Sequence, residues 1–272
     1  LSGGRVVCGF VRGIGQESIA TNTNPVYNRE RFDEAHNVII KAWTNPGPFR
    51  YEGKHYQYRV VNPWVMPLQK PHPPIWIPGV ASTESVVWAA KHKYPYVALA
   101  PPVDLLKGIY ELYDETAKAD GWTPTSEHRA YAVRINVADT DEKAYEEGKN
   151  FYWQLGTSFG ITPPHWQAPP GYISRSSAQS AREAARTAAS NITPGGPGLP
   201  YDEAQETVQI ITGNPDTVTK KLKRIIDLIN PGTIVLWGRE GPMSHKIAMR
   251  NIDLLSQEVI PAIKEYQAVQ QG

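Results

Sequence analysis

Five short apolar runs punctuate the chain, at residues 6–10, 75–77, 96–100, 131–137 and 233–237, and helical spacing of apolar residues separates them. The helical segments are 31–43, 83–91, 103–119, 141–154, 215–229 and a long closing one at 244–266. In the first of these, Phe32, Ala35, Val38, Ile39 and Ala42 recur at the helical period, with Glu30, Asp33 and Glu34 near its start. Nearly continuous apolar runs are the mark of strands buried on both faces. Strands alternating with helices predict an α/β fold of parallel strands joined by right-handed crossovers. Two architectures fit, a doubly wound open sheet and a (β/α)8 barrel, and the barrel needs eight strands where five are visible. Residues 49–61 alternate aromatic and polar side chains around Gly53 and predict a β-hairpin or an extended arm.

Composition narrows the function classes. The chain has 272 residues, 40% hydrophobic and 20% charged, enough for one large domain, and its net charge of +1 offers no nucleic-acid surface. No stretch of about 18 apolar residues occurs, and no basic segment followed by an apolar one opens the chain, so neither a membrane partner nor a cleaved export signal is expected. The single cysteine, Cys8, excludes an internal disulfide and fits a cytoplasmic location, while the seven histidines lack metal-site spacing, so no metal is implied. The 24 prolines gather around 63–78 and 163–200, marking excursions from a regular scaffold.

One turn carries chemistry. In "PIWIPGVASTESVVWAA" (74–90) a strand meets Pro78-Gly79 and then a hydroxyl cluster at a helix start. Ser82 and Thr83 are both candidates to cap the helix, Glu84 suits its first turn, and Ser85 can point over its end. The same end suits an anion, since unpaired N–H groups and the helix dipole attract phosphate. The stretch alone leaves both readings open, and Arg12 by itself reads as a loop surface charge.

Several motifs together resemble the bacterial luciferase-like flavin monooxygenase family. The opening "LSGGRVVCGFVRG" resembles its entry to barrel strand four, "RFDEAHNVIIKAW" its fourth helix, and "PHPPIWIPGVASTES" its fifth strand and turn. "ITGNPDTVTKKL" and "IDLLSQEVIPAI" resemble its seventh and eighth helices. The resemblance implies a TIM (β/α)8 barrel of the luciferase-like type, with about five of its eight strand-helix units present, strands four to eight, in one domain over 1–272. It places a cofactor phosphate against Ser82 and Ser85, with Arg12 as the guanidinium partner and Ala81 beside them. Ala81 stands where luciferase carries an acidic side chain and Val11 where it carries a reactive cysteine, departures that argue against light emission.

By the same resemblance the chain is an oxidoreductase, a flavoprotein monooxygenase using reduced FMN from a separate flavin reductase to oxidise a small, mostly apolar organic substrate, in a homodimer or heterodimer. The alternatives are a deazaflavin-dependent oxidoreductase and a non-catalytic flavin-binding subunit. The family's catalytic histidine would precede Leu1, so the catalytic residues are unknown, and the chain is expected to be an N-terminally truncated fragment, aggregation-prone and inactive alone. The irregular stretch 156–200 is read as an insertion or lid, with Trp153, Phe159, His165, Trp166 and Tyr172 near it and a surface loop as the alternative. Trp237 and Tyr96 are expected to border the cofactor ring.

Overall fold

The computed structural model describes residues 1–152, 166, 169–172 and 200–271. It divides into two compact units, one of residues 1–77 with the described residues of 162–180, the other of the described residues of 78–161 and 181–272.

In the first unit, β1 (Cys8–Gly9) pairs in parallel with the start of β4 (Ile75–Gly79), Cys8 opposite Ile75 and Gly9 opposite Trp76. The strand is shorter than the apolar run 6–10, and Val6 and Val7 are 43% and 46% exposed, which corrects the reading of a strand buried on both faces. Cys8 is half-buried. Helix α1 (Gly15–Ala20) follows, and α2 (Asn28–Thr44) begins three residues before its apolar periodicity. Strands β2 (Phe49–Glu52) and β3 (Gln57–Val61) form the expected antiparallel hairpin. Its turn is held from α2. Glu34 accepts the backbone N–H groups of His55 (2.9 Å) and Tyr56 (2.8 Å), and Glu30 accepts from Lys54 Nζ (2.5 Å) and faces His55 Nε2 (2.9 Å).

The second unit is a sheet under helices. Its elements are α3 (Thr83–Lys91), β5 (Tyr96–Leu99), α4 (Val103–Ala119), β6 (Arg129–Val137), α5 (Asp141–Gly148), α6 (Tyr201–Glu206), β7 (Ile210–Gly213), α7 (Pro215–Ile229), β8 (Thr233–Trp237), α8 (His245–Leu254) and α9 (Ile260–Gln271). Strand β6 is the hub, pairing in parallel with β5, β7 and β8. Arg134 is paired with both Ile210 and Trp237, and a residue has only two edges, so β7 and β8 flank β6 on opposite sides. By the same argument at Ala130 and Ala132, β5 lies opposite β8, so β5 and β7 follow one another along one edge. Strand β7 is absent from the five-strand reading. Its four residues are all buried but too few to show a period beside the helix they precede.

The helices form where their apolar spacing puts them. In α7, Val218, Leu222, Ile225, Ile226 and Ile229 make one buried stripe, Asn214 caps it by accepting Thr217 N–H at 2.9 Å, and Pro215 takes the first turn. Helix α5 stops at Gly148, short of the expected 154, and passes into a 3-10 turn at Lys149–Tyr152. Between α8 and α9 the chain widens into a π-helical turn at Leu255–Val259, just ahead of Pro261, whose ring would crowd the carbonyl four residues back in a regular helix. Buried tyrosines carry their hydroxyls to carbonyls: Tyr131 Oη lies 2.9 Å from Val208 O, and Tyr110 Oη 2.6 Å from Ala130 O. The alanine-rich piece at 177–190 and Trp153, Phe159 and His165 lie outside the described residues. No helix among the described residues is long and apolar enough to cross a membrane.

Candidate functional site

Strand β4 ends at Gly79, and the chain reaches α3 through Val80, Ala81 and Ser82. Tyr96 shapes this turn. It is fully buried at the start of β5, and a side-chain carbon on Gly79 would lie 2.7 Å from its hydroxyl, so only glycine lets the ring in. That hydroxyl accepts the Ala81 backbone N–H at 3.1 Å. Burial pushes the Tyr96 phenol well above its usual range, with the Ala81 N–H opposing weakly, so it stays protonated. Tyr96 therefore supports the turn from below and does not border an open ring site as expected. Ala81 is held at φ +64°, a conformation that costs an alanine energy and persists where surrounding structure enforces it.

Ser82 occupies the N-cap position of α3, and its carbonyl accepts the N–H groups of Ser85 (2.9 Å) and Val86 (3.1 Å). Its hydroxyl does not cap. It donates to Glu84 Oε2 at 3.1 Å. Thr83, the other candidate cap, is the first helical residue and exposed, and Ser85 is half-buried one turn in. The ordinary capping role thus fails to account for the Ser82 hydroxyl, which lies beside the helix start with a carboxylate as its partner. A phosphate fits this hydroxyl and helix end, provided that Glu84 gives up its bond.

Arg12 belongs to the other unit, three residues past β1 and half-buried. Beside it, Tyr172 donates to Gly13 O at 3.2 Å, and Glu17 accepts Ile14 N–H at 2.7 Å to close the start of α1. Burial raises the Tyr172 phenol and the Arg12 charge opposes that rise. Arg12 has no ion-pair partner among the described residues. Trp166, also named for the lid, is exposed.

A second constellation escaped the sequence reading except for Trp237. At the C-terminal end of β8, the Trp237 indole is 42% exposed, donates Nε1–H to Arg239 O at 2.7 Å, and carries the Arg134 guanidinium over its ring at 5.1 Å. Three residues on, Glu240 is only 9% exposed, and its Oε2 has no hydrogen-bond partner among the described residues. The loop carrying both is tied down by Asn251 of α8, fully buried, which accepts Val137 N–H (2.7 Å) and donates to Ile135 O (3.0 Å) and Gly238 O (2.8 Å). A side-chain carbon on Gly238 would sit 2.9 Å from Asn251 Nδ2. A local sequence signal for Glu240 is lacking, since an acidic residue in "GREGPMSH" reads as a surface charge. No cluster of His, Cys, Asp or Glu among the described residues could hold a metal ion.

Residues 1–229 match the family model described as luciferase-like monooxygenase. Among curated relatives, the uncharacterized protein y4vJ of Sinorhizobium fredii is 24% identical over 86% of this chain and 62% of its own length. Protein y4wF of the same organism is 32% identical over 42% of this chain and 32% of its own. The chain thus spans less than two thirds of the curated relatives it matches. Among solved structures, the oxygenating constituent of 3,6-diketocamphane monooxygenase from the CAM plasmid of Pseudomonas putida, in complex with FMN, has a TM-score of 0.67 at 22% identity, covering 96% of this chain and 72% of that one. An F420-dependent secondary alcohol dehydrogenase in complex with an F420-acetone adduct has a TM-score of 0.65 at 16% identity, covering 95% and 69%. Both are likenesses of fold. The α/β fold matches luciferase-like TIM-barrel neighbours.

Proposed function

The chain belongs to the luciferase-like monooxygenase family, and from that premise we propose that it is a monooxygenase using reduced FMN and molecular oxygen on a small, mostly apolar organic substrate. The observation that carries this is the family match over residues 1–229. The Ser82 hydroxyl, unused in capping, supports a phosphate at the start of α3, with Ser85 one turn in and Ala81 fixing the turn. Arg12 is a proposed guanidinium contributor to cofactor binding. When bound, reduced FMN supplies the two electrons with which one oxygen atom enters the substrate and the other leaves as water. The chain's own task is to hold the cofactor, keep water away and place the substrate. A separate flavin reductase is the proposed source of electrons, and a dimer the proposed assembly.

A deazaflavin-dependent oxidoreductase is the second reading, favoured by the likeness to the F420-dependent dehydrogenase. A non-catalytic flavin-binding subunit is the third. Titrating the purified protein with reduced FMN and with reduced F420, both without oxygen, separates the first two by which spectrum responds. Oxygen consumption with a supplied reductase then separates the first from the third. Binding of neither cofactor sinks all three.

A further inference from the structure

Buried polar groups in folded proteins have partners, and an exception asks for an explanation. Glu240 is such an exception. The residue is 9% exposed; its Oε1 accepts the Gly241 N–H at 3.4 Å, and its Oε2 lacks a donor among the described residues. The position is not slack, because Glu240 O accepts Met243 N–H at 3.0 Å and Met243 is packed in a cluster with Phe151, Ala204, Ile210 and Ala248. Asn251 fixes the same loop to the end of β6. A fixed acceptor therefore stands at the C-terminal end of a parallel strand, where this fold places its ligands.

Its neighbour in the loop is an aromatic surface. Trp237 is held by its own N–H bond to Arg239 O and backed on one face by Arg134, while 42% of it stays exposed. A rigid indole beside a buried acceptor suits a flat, π-bearing ligand with an acidic N–H on its edge. The ring systems of FMN and of deazaflavins share one such donor, the N3–H of the pyrimidine edge.

Resting on the cofactor reading above, we infer that Glu240 accepts the N3–H of the cofactor ring and that Trp237, steadied by Arg134, forms a wall of the ring site. Oε2 lacks a partner among the described residues, and the N3–H bond supplies one, so recognition is specific to that edge. Glu240 is a binding residue.

The test compares FMN with N3-methyl FMN by fluorescence titration, in the unaltered protein and in Glu240→Ala. The unaltered protein should bind the methylated ring about tenfold or more weakly, as befits loss of a hydrogen bond to a charged group. Glu240→Ala should bind the two rings alike. Glu240→Gln keeps an acceptor without the charge and should show an intermediate discrimination, which preserves the test if the alanine variant melts early. Equal discrimination in all three proteins, or none in the unaltered one, overturns the inference and leaves the cofactor reading standing. Failure of the unaltered protein to bind FMN or F420 at all overturns both.

Discussion

At the scale of single residues, the start of α3 holds a conflict. The Ser82 hydroxyl is proposed for a phosphate, yet it donates to Glu84 Oε2 at 3.1 Å. A carboxylate there steadies the helix dipole, and it also repels a phosphate from the same place. Glu84→Gln should therefore tighten FMN binding about two- to fivefold while destabilising the helix start by up to about 1 kcal/mol. Paired FMN titrations and urea melts read both effects, and weaker binding would remove Glu84 from the neighbourhood of the phosphate. Arg12 is the opposite case, a half-buried cation without an ion-pair partner among the described residues. If it contributes to cofactor binding, Arg12→Ala should weaken FMN on the order of tenfold to a hundredfold, since a charged hydrogen bond is worth ~1.5–3 kcal/mol. Unchanged affinity would return it to the role of a loop charge.

Among the elements, the hairpin β2–β3 is joined to α2 in part through carboxylates, and that junction responds to pH. Burial alone would push the Glu34 carboxyl up, but the N–H groups of His55 and Tyr56, with the charge of His55, outweigh it and hold the group below the usual carboxylate range. Glu30 is held low too, first by its bond from Lys54 and then by that from His55. A carboxyl whose folded value is depressed contributes stability above its unfolded value and loses it as pH falls through the folded one. The turn at Gly53–Tyr56 should accordingly loosen as pH falls through and below the usual carboxylate range. Amide exchange at His55 and Tyr56, corrected for intrinsic rates, should accelerate there beyond the rest of the hairpin. In Glu34→Ala the two amides should exchange quickly at every pH. A flat profile in the unaltered protein would show that backbone pairing alone holds the turn.

For the whole molecule, a bound cofactor must show itself as stability. FMN at a hundred times its dissociation constant should add about 2.7 kcal/mol to the state that binds it. For a chain of this size that raises the melting temperature by roughly 5–10 °C. Calorimetry with and without FMN measures it, and an unmoved transition at saturating FMN would count against a flavoprotein. Read from the sequence alone, the elements were largely legible, because a helix or strand is written in the period of its own apolar residues. The bounds of α4 and α7, the Asn214 cap and the hairpin all follow from local spacing. The Ser82 turn was legible as a place and not as an arrangement, since nothing local says whether a hydroxyl will cap a helix or turn to Glu84. Short β7, the edges of β6, the Asn251 tie and the burial of Glu240 came only with the tertiary structure. Their physical cause lies far away along the chain: Val137 N–H meets Asn251 Oδ1 across 114 residues of sequence, and whether Glu240 is surface or core is decided by what packs over it. Periodicity within a segment fixes which face is apolar, but which polar groups that face meets is set by the partners that folding brings.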